Sequence, residues 1–202
     1  MSLKIKSNPD GRQIAPEALA KLRATILDMF ASSAYEDVSI RDICAKAKVS
    51  PQTVYKYFGN KEVMFYACIE EDLNELHRLC FVETAKYDDL KERLNAFTRT
   101  VCDFYFNRPN VARIVFMNIP SRYWVSRREF IRTPVHEAID MYIREGQIKG
   151  EIWPDVSPGV MQNMIMGMLH RLMTYWLENE ISSPGQLCED WRRSLTRLVF
   201  IR

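Results

Sequence analysis

The sequence predicts an all-α protein in which an N-terminal three-helix unit of helix-turn-helix type joins a larger helical domain. Three observations predict it. Between Phe30 and Glu62 two short helices follow one another closely, and a third begins straight after. Beyond Lys61 apolar residues recur at helical spacing, without an alternating strand signature, an internal repeat or a low-complexity linker. Finally, a 47% hydrophobic content over 202 residues is ample for a buried core.

Taken in order, Met1 to Arg12 carries Lys4, Lys6 and Arg12 among Ser, Asn, Pro and Gly, and reads as a mobile arm within reach of a duplex. Leu19, Leu22, Ile26, Met29 and Phe30 then recur at helical spacing behind Pro16, which suits a first turn, so a helix of about four turns precedes the motif. Thr25 on this helix is either a phosphate contact or an exposed threonine with no role. Ser39 caps the next helix, with Asp42 three residues on in a weak capping box, and the helix runs to about Lys46. Ser50 caps another, whose first position is Pro51, where a missing N–H matters least. Gly59 stops it, and Asn60 caps a fourth helix beginning at Lys61.

Ile40, Ile43 and Ala47 line one face of the first short helix, Val49 fills the corner, and Val54 and Phe58 lie at i, i+4 on the second. With Val54 inward, a step of about 100° per residue puts Gln52 and Lys56 outward, Thr53 and Tyr57 on one flank and Tyr55 on the other. Amide, hydroxyl, ammonium and phenol groups suit a major groove: Gln bonds adenine edges, Thr offers a methyl or hydroxyl, and Lys and Tyr reach phosphates or guanine. The plain alternative is a solvated surface helix. Ser50 and Lys56 join the candidate DNA-binding residues on this reasoning.

The string SIRDICAKAKVSPQTVYKYFGNKEVMF, from Ser39 to Phe65, resembles the DNA-binding signature of the tetracycline-repressor (TetR) family. The resemblance covers about the first third of the chain. Position by position, it implies DNA contact from Arg41, Gln52, Thr53, Tyr55, Tyr57 and Lys61. It also implies pairing through the last two long helices. Two departures stand out: Ala34 precedes Tyr35, and Lys48 sits in the turn, both where the family commonly has glycine. A lysine forced to positive φ is strained by roughly 1 kcal/mol, so this turn is expected to be shaped differently.

The net charge of +2 does not by itself point to nucleic acid, but its distribution does. Met1 to Lys61 holds ten basic and six acidic residues, leaving 18 basic against 20 acidic in the remainder. Tight binding then needs two copies and directed base contacts. The expected domains are residues 1–61, the helix-turn-helix with its arm, and residues 62–202, for effector binding and dimerisation.

Further helices are expected over Lys61 to Cys80, Tyr87 to Asn107, Pro109 to Asn118, Arg127 to Gly146, Pro158 to Glu180 and Pro184 to Phe200. The Pro158 helix carries Met161, Met164, Ile165, Met168, Leu172 and Trp176 as a broad apolar stripe, with Gly167 permitting close approach. Trp191 and Leu195 of the final helix are expected to join it in a dimer interface, although a core helix has the same pattern. Ten Met and 23 aromatic residues are enough to line an apolar effector cavity, for which Phe104, Tyr105, Tyr123, Trp124, Met141 and Trp176 are candidates. Core filling explains the same residues.

The N-terminus lacks an apolar run, the stretch Val160 to Leu177 is broken by polar residues, and the five cysteines show no C-x-x-C pair. These features predict a cytoplasmic protein with reduced thiols, no membrane association, no cofactor and no metal. His77 and Cys80, one helical turn apart, form at most half a metal site. Without a Gly-rich phosphate loop or nucleophile elbow, no enzyme is expected. The expectation is therefore a homodimeric regulator of a palindromic double-stranded operator, most simply a repressor released by a small hydrophobic or amphipathic effector. A constitutive DNA-binding protein, or an all-helical protein-interaction scaffold, is the rival.

Overall fold

A computed structural model of the chain describes residues 15–118, 134–179, 181 and 183–201. Every regular element among them is helical, and the only bridge pairs Ile152 with Phe200. The head comprises α1 (Pro16–Ser32), α2 (Ile40–Ala47) and α3 (Pro51–Phe58). From it α4 (Lys61–Thr84) runs into a larger bundle of α5 (Leu90–Phe106), α6 (Pro109–Arg113), α7 (Pro134–Lys149), α8 (Pro158–Glu178) and α9 (Gly185–Val199). A π-helical turn, Ile114–Asn118, continues α6.

Several boundaries differ from the expected ones, each for a local reason. The fourth helix continues past Cys80 to Thr84, whose hydroxyl donates back to the Cys80 carbonyl at 2.7 Å. The fifth begins at Leu90 instead of Tyr87, because the Asp89 carboxylate accepts from the Glu92 N–H at 2.9 Å and caps it. The predicted start at Arg127 lies outside the described residues, as does the N-terminal arm. Gly146 does not end its helix, which continues to Lys149. It is buried, and a Cβ there would lie 2.4 Å from the Ile152 side chain, so glycine admits a close approach.

Two apolar cores form. Leu22 and Phe30 of α1, Ile43 of α2, Val54 of α3 and Met64 of α4 are fully enclosed in the head, each contributing about 1.5–3 kcal/mol by burial. The body core gathers around residues such as Cys102, Ala112, Ile143, Met173 and Leu195. α4 supplies both, through Ile69 to the head and Leu76 to the body, while Leu73 packs against each. The division between cores therefore falls within α4, between Ile69 and Leu76.

Polar ties reinforce this junction. From α1, Arg23 reaches Asp72 at 2.7 Å and the Cys68 carbonyl at 3.2 Å, and also pairs with Glu71. From the body, Arg108 approaches Asp72 at 3.7 Å. Asn118 of the π-helical turn donates to the Phe30 carbonyl, and Ile114 of that turn is buried in the head core. Asp72→Asn removes the charge facing both arginines and should lower unfolding stability by about 1–3 kcal/mol. Glu71→Gln, on a 76% exposed side chain, should change it by only a few tenths of a kcal/mol. Urea unfolding of the two variants checks the contrast.

Candidate nucleic-acid interface and cavity

The expected caps form. Ser39 Oγ accepts from the Asp42 N–H at 3.1 Å and donates to its carboxylate at 2.5 Å. Ser50 accepts from the Thr53 N–H at 3.1 Å, and Asn60 from the Val63 N–H at 2.8 Å. Gly59 ends α3 at φ 82°. The departure at Lys48 resolves differently from expectation: the lysine itself adopts φ 59°, ψ 42°, the conformation glycine favours, and its N–H closes α2 onto the Cys44 carbonyl. The turn keeps its shape, and Lys48 carries a strain of about 1–2 kcal/mol.

On α3, Val54 and Phe58 face the core, while Gln52, Tyr55 and Lys56 are exposed. Thr53 and Tyr57 are half-buried, Thr53 sharing a 2.8 Å hydrogen bond with Ser50 and Tyr57 setting its ring against Phe58. Arg41 is exposed on α2. Two residues carry structural duties. The Lys61 ammonium bonds the carbonyls of Tyr35 and Glu36 and sits 4.4 Å over the Tyr35 ring, tying α4 to the turn after α1 with two of its three donors. Thr25 fits neither alternative. It is buried, with its hydroxyl donating to the Lys21 carbonyl at 2.9 Å.

A cavity of about 470 Å³ opens between α4, α5, α7 and α8. Its wall is mainly apolar, including Phe81, Leu94, Phe97 and Ile139, with His77 and Tyr142 as polar groups. At one edge Arg93 pairs with Glu145 at 3.1 Å. Burial, helped by nearby His136, pushes the His77 imidazole down to about 4, keeping it neutral. Of the candidate lining residues, Met141 is on the wall. Phe104 and Tyr105 instead fill the body core, Tyr105 meeting Phe116 edge to face. Trp176 is also buried there, its indole donating to the Ile181 carbonyl at 3.2 Å. Tyr123 and Trp124 lie outside the described residues. The His77 and Cys80 pair, read as half a metal site, lines this cavity, and no cluster of three metal-ligating side chains occurs among the described residues.

The interface candidates need correcting in the same way. Met161, Trp191 and Leu195 are buried in their own subunit's core, and Met168 and Leu172 are half-buried against it. Met164 alone of the six is exposed. It lies on a face with Val160, Gly167, Arg171 and Tyr175, whose 4-3-4-4 spacing makes one helical stripe. α8 is apolar over most of its circumference, so periodicity picked the heavier side, which the core takes.

Residues 22–68 match the family described as bacterial regulatory proteins, tetR family. The HTH-type transcriptional regulator UidR of Escherichia coli K12 is 21% identical over 150 residues, spanning 72% of this chain and 74% of that protein. The fatty acid degradation regulator FadR from Bacillus halodurans superimposes with a TM-score of 0.78 at 17% identity, covering 92% of this chain and 97% of its own. The transcriptional regulator FadR from Bacillus subtilis, in complex with stearoyl-CoA, does so with a TM-score of 0.74 at 19% identity, covering 89% and 96%. At these identities the two structures establish a shared fold.

The neutral His77 carries a pH dependence. In the unfolded chain a histidine takes up its proton as the pH falls through 6.5, whereas in the fold His77 resists until about 4. Between those values the unfolded state binds more protons, so stability should fall as pH drops from 7 toward 4. His77→Gln should flatten the thermal-midpoint profile over that window; an unchanged slope would assign it to other groups.

Proposed function

We propose that this chain, a TetR-family transcriptional regulator, works as a homodimeric repressor that binds a palindromic operator and releases it when a hydrophobic or amphipathic molecule fills the cavity. The observation that carries this reading is the double duty of α4. Its first residue, Lys61, is pinned to the head directly after α3, and its last turns supply His77, Cys80 and Phe81 to the cavity wall. A ligand that parts α4 from α5 and α7 therefore moves the element on which the head is mounted.

Gln52, Tyr55 and Lys56, exposed on a capped and rigid helix, suit base-edge and phosphate contacts. Arg41, Thr53 and Tyr57 flank them, and Lys61 offers its remaining donor to the backbone. One such helix makes few base contacts. Two copies must sit about 34 Å apart to enter successive major grooves, so a small swing of each α4 spoils the fit. By linkage, the factor by which effector weakens operator binding equals the factor by which operator weakens effector binding. An acyl-type amphiphile is favoured by the apolar wall and by the stearoyl-CoA held by a protein of the same fold. The cavity counts against a constitutive DNA-binding protein. Among the described residues no helix is long and apolar enough to cross a membrane.

Pairing is assigned to the exposed face of α8, with Gly167 allowing close approach between Met164 and Tyr175. Met164→Arg should give monomers that retain their helical signal and lose tight operator binding; sedimentation that still showed dimers would move the interface elsewhere. Operator reading is tested by selecting bound duplexes from a random pool, with recovery of a palindrome expected. Gln52→Ala should then relax preference at one position per half-site, at about 1–3 kcal/mol per lost bidentate contact. Undiminished preference would remove Gln52 from the reading surface.

A further inference from the structure

Cys102 and Cys188 are far apart in sequence and meet between α5 and α9. The Cys188 thiol donates to the Thr98 carbonyl at 3.7 Å. Thr98 stands one helical turn before Cys102, and a helical side chain leans over the turn preceding it, so Cys102 covers the same spot. The two sulfurs are in hydrogen-bonding contact there, with the Cys102 S–H donating. The other cysteines are separate: Cys44 and Cys68 lie in the head core, and Cys80 lines the cavity.

The two thiols differ in a way that suits sequential chemistry. Cys102 is fully buried, while Cys188 is only half-buried. Cys188 also occupies the first turn of α9, where the helix dipole favours an anion, with Arg192 one turn further on. The hydrogen bond from Cys102 holds its thiol below the ordinary range, against opposition from burial and from Asp103 and Glu189. Cys102 itself is held well above that range by the same hydrogen bond and by burial. One half-buried thiol thus meets one that is fully enclosed.

We propose that Cys188 and Cys102 form a thiol-oxidation site that closes to an intrachain disulfide in response to hydroperoxides. The Cys188 thiolate attacks the outer oxygen of the hydroperoxide, the O–O bond breaks, and the alkoxide or hydroxide leaves with a proton, giving a sulfenic acid. The Cys102 sulfur then attacks the Cys188 sulfur, the S–O bond breaks, and hydroxide leaves as water with the Cys102 proton. Two thiols and one hydroperoxide become one disulfide, one alcohol or water, and one water. The bond fastens α9, beside the proposed pairing helix α8, to the α5 wall of the cavity.

The test is hydrogen peroxide titration of the reduced full-length protein, followed by alkylation, intact mass and peptide mapping. The expected result is a loss of two hydrogens per chain, reversed by dithiothreitol, with a peptide joining Cys102 to Cys188. Cys102→Ser should abolish that peptide and let Cys188 pass on to sulfinic acid. Cys188→Ser, at the less buried position, should leave Cys102 reduced, and it serves as the control if Cys102→Ser loses helical signal. Wild-type protein in which Cys188 ends as sulfinic acid, bridges two subunits, or alkylates no faster than Cys44 would overturn the proposal.

Discussion

Asp72 is the point on which the two halves of this molecule depend. Its carboxylate, only 16% exposed, is met from the head by Arg23 and from the body by Arg108. An anion buried to that extent is tolerable only with such partners, because desolvation otherwise outweighs what it gains. The same two arginines need the carboxylate. Arg23 also holds the Cys68 carbonyl, and Arg108 lies 4.2 Å over the Phe104 ring, so α1, α4, α5 and the start of α6 are fastened at one place.

This fastening gives α4 its mechanical character. Had the head been joined by a flexible linker, events at the cavity would not reach α3. Instead α4 is a continuous helix whose first half completes the head core and whose second half builds the cavity wall. The π-helical turn adds a second crossing, since Ile114 enters the head core and Asn118 binds the Phe30 carbonyl. π-helical turns of this kind are rare and occur frequently at functional sites.

How much of this was legible in the sequence depends on how local the determining interaction is. Ser39, Ser50, Gly59 and Asn60 announced the helix ends of the reading motif, because a cap is settled within about four residues. The apolar spacing of Ile40, Ile43, Val54 and Phe58 likewise gave the inward face. The cavity was not legible. Phe97 and Phe104 lie on one helix with similar surroundings in sequence, yet Phe97 reaches the cavity and Phe104 the core, a difference set by which distant helices arrive. On α8, periodicity could locate an apolar stripe but not say that the body core would claim Met161 and leave Met164 and Tyr175 outside. Lys61 and Thr25 show the same limit, since a polar side chain on a basic head does not reveal whether its partner is a phosphate or a nearby carbonyl.

The central claim, that head and body act as one unit through α4, is tested most directly by urea unfolding watched at both ends. Trp153, Trp176 and Trp191 lie in the body and no tryptophan precedes residue 120, so in a Trp124→Phe background tryptophan fluorescence reports the body, while amide hydrogen exchange of α2 and α3 reports the head. Fastened through Asp72, Leu73 and Ile114, the two should lose structure at the same urea concentration in a single transition. Head amides that open at lower urea while the tryptophan signal stays native would contradict the account.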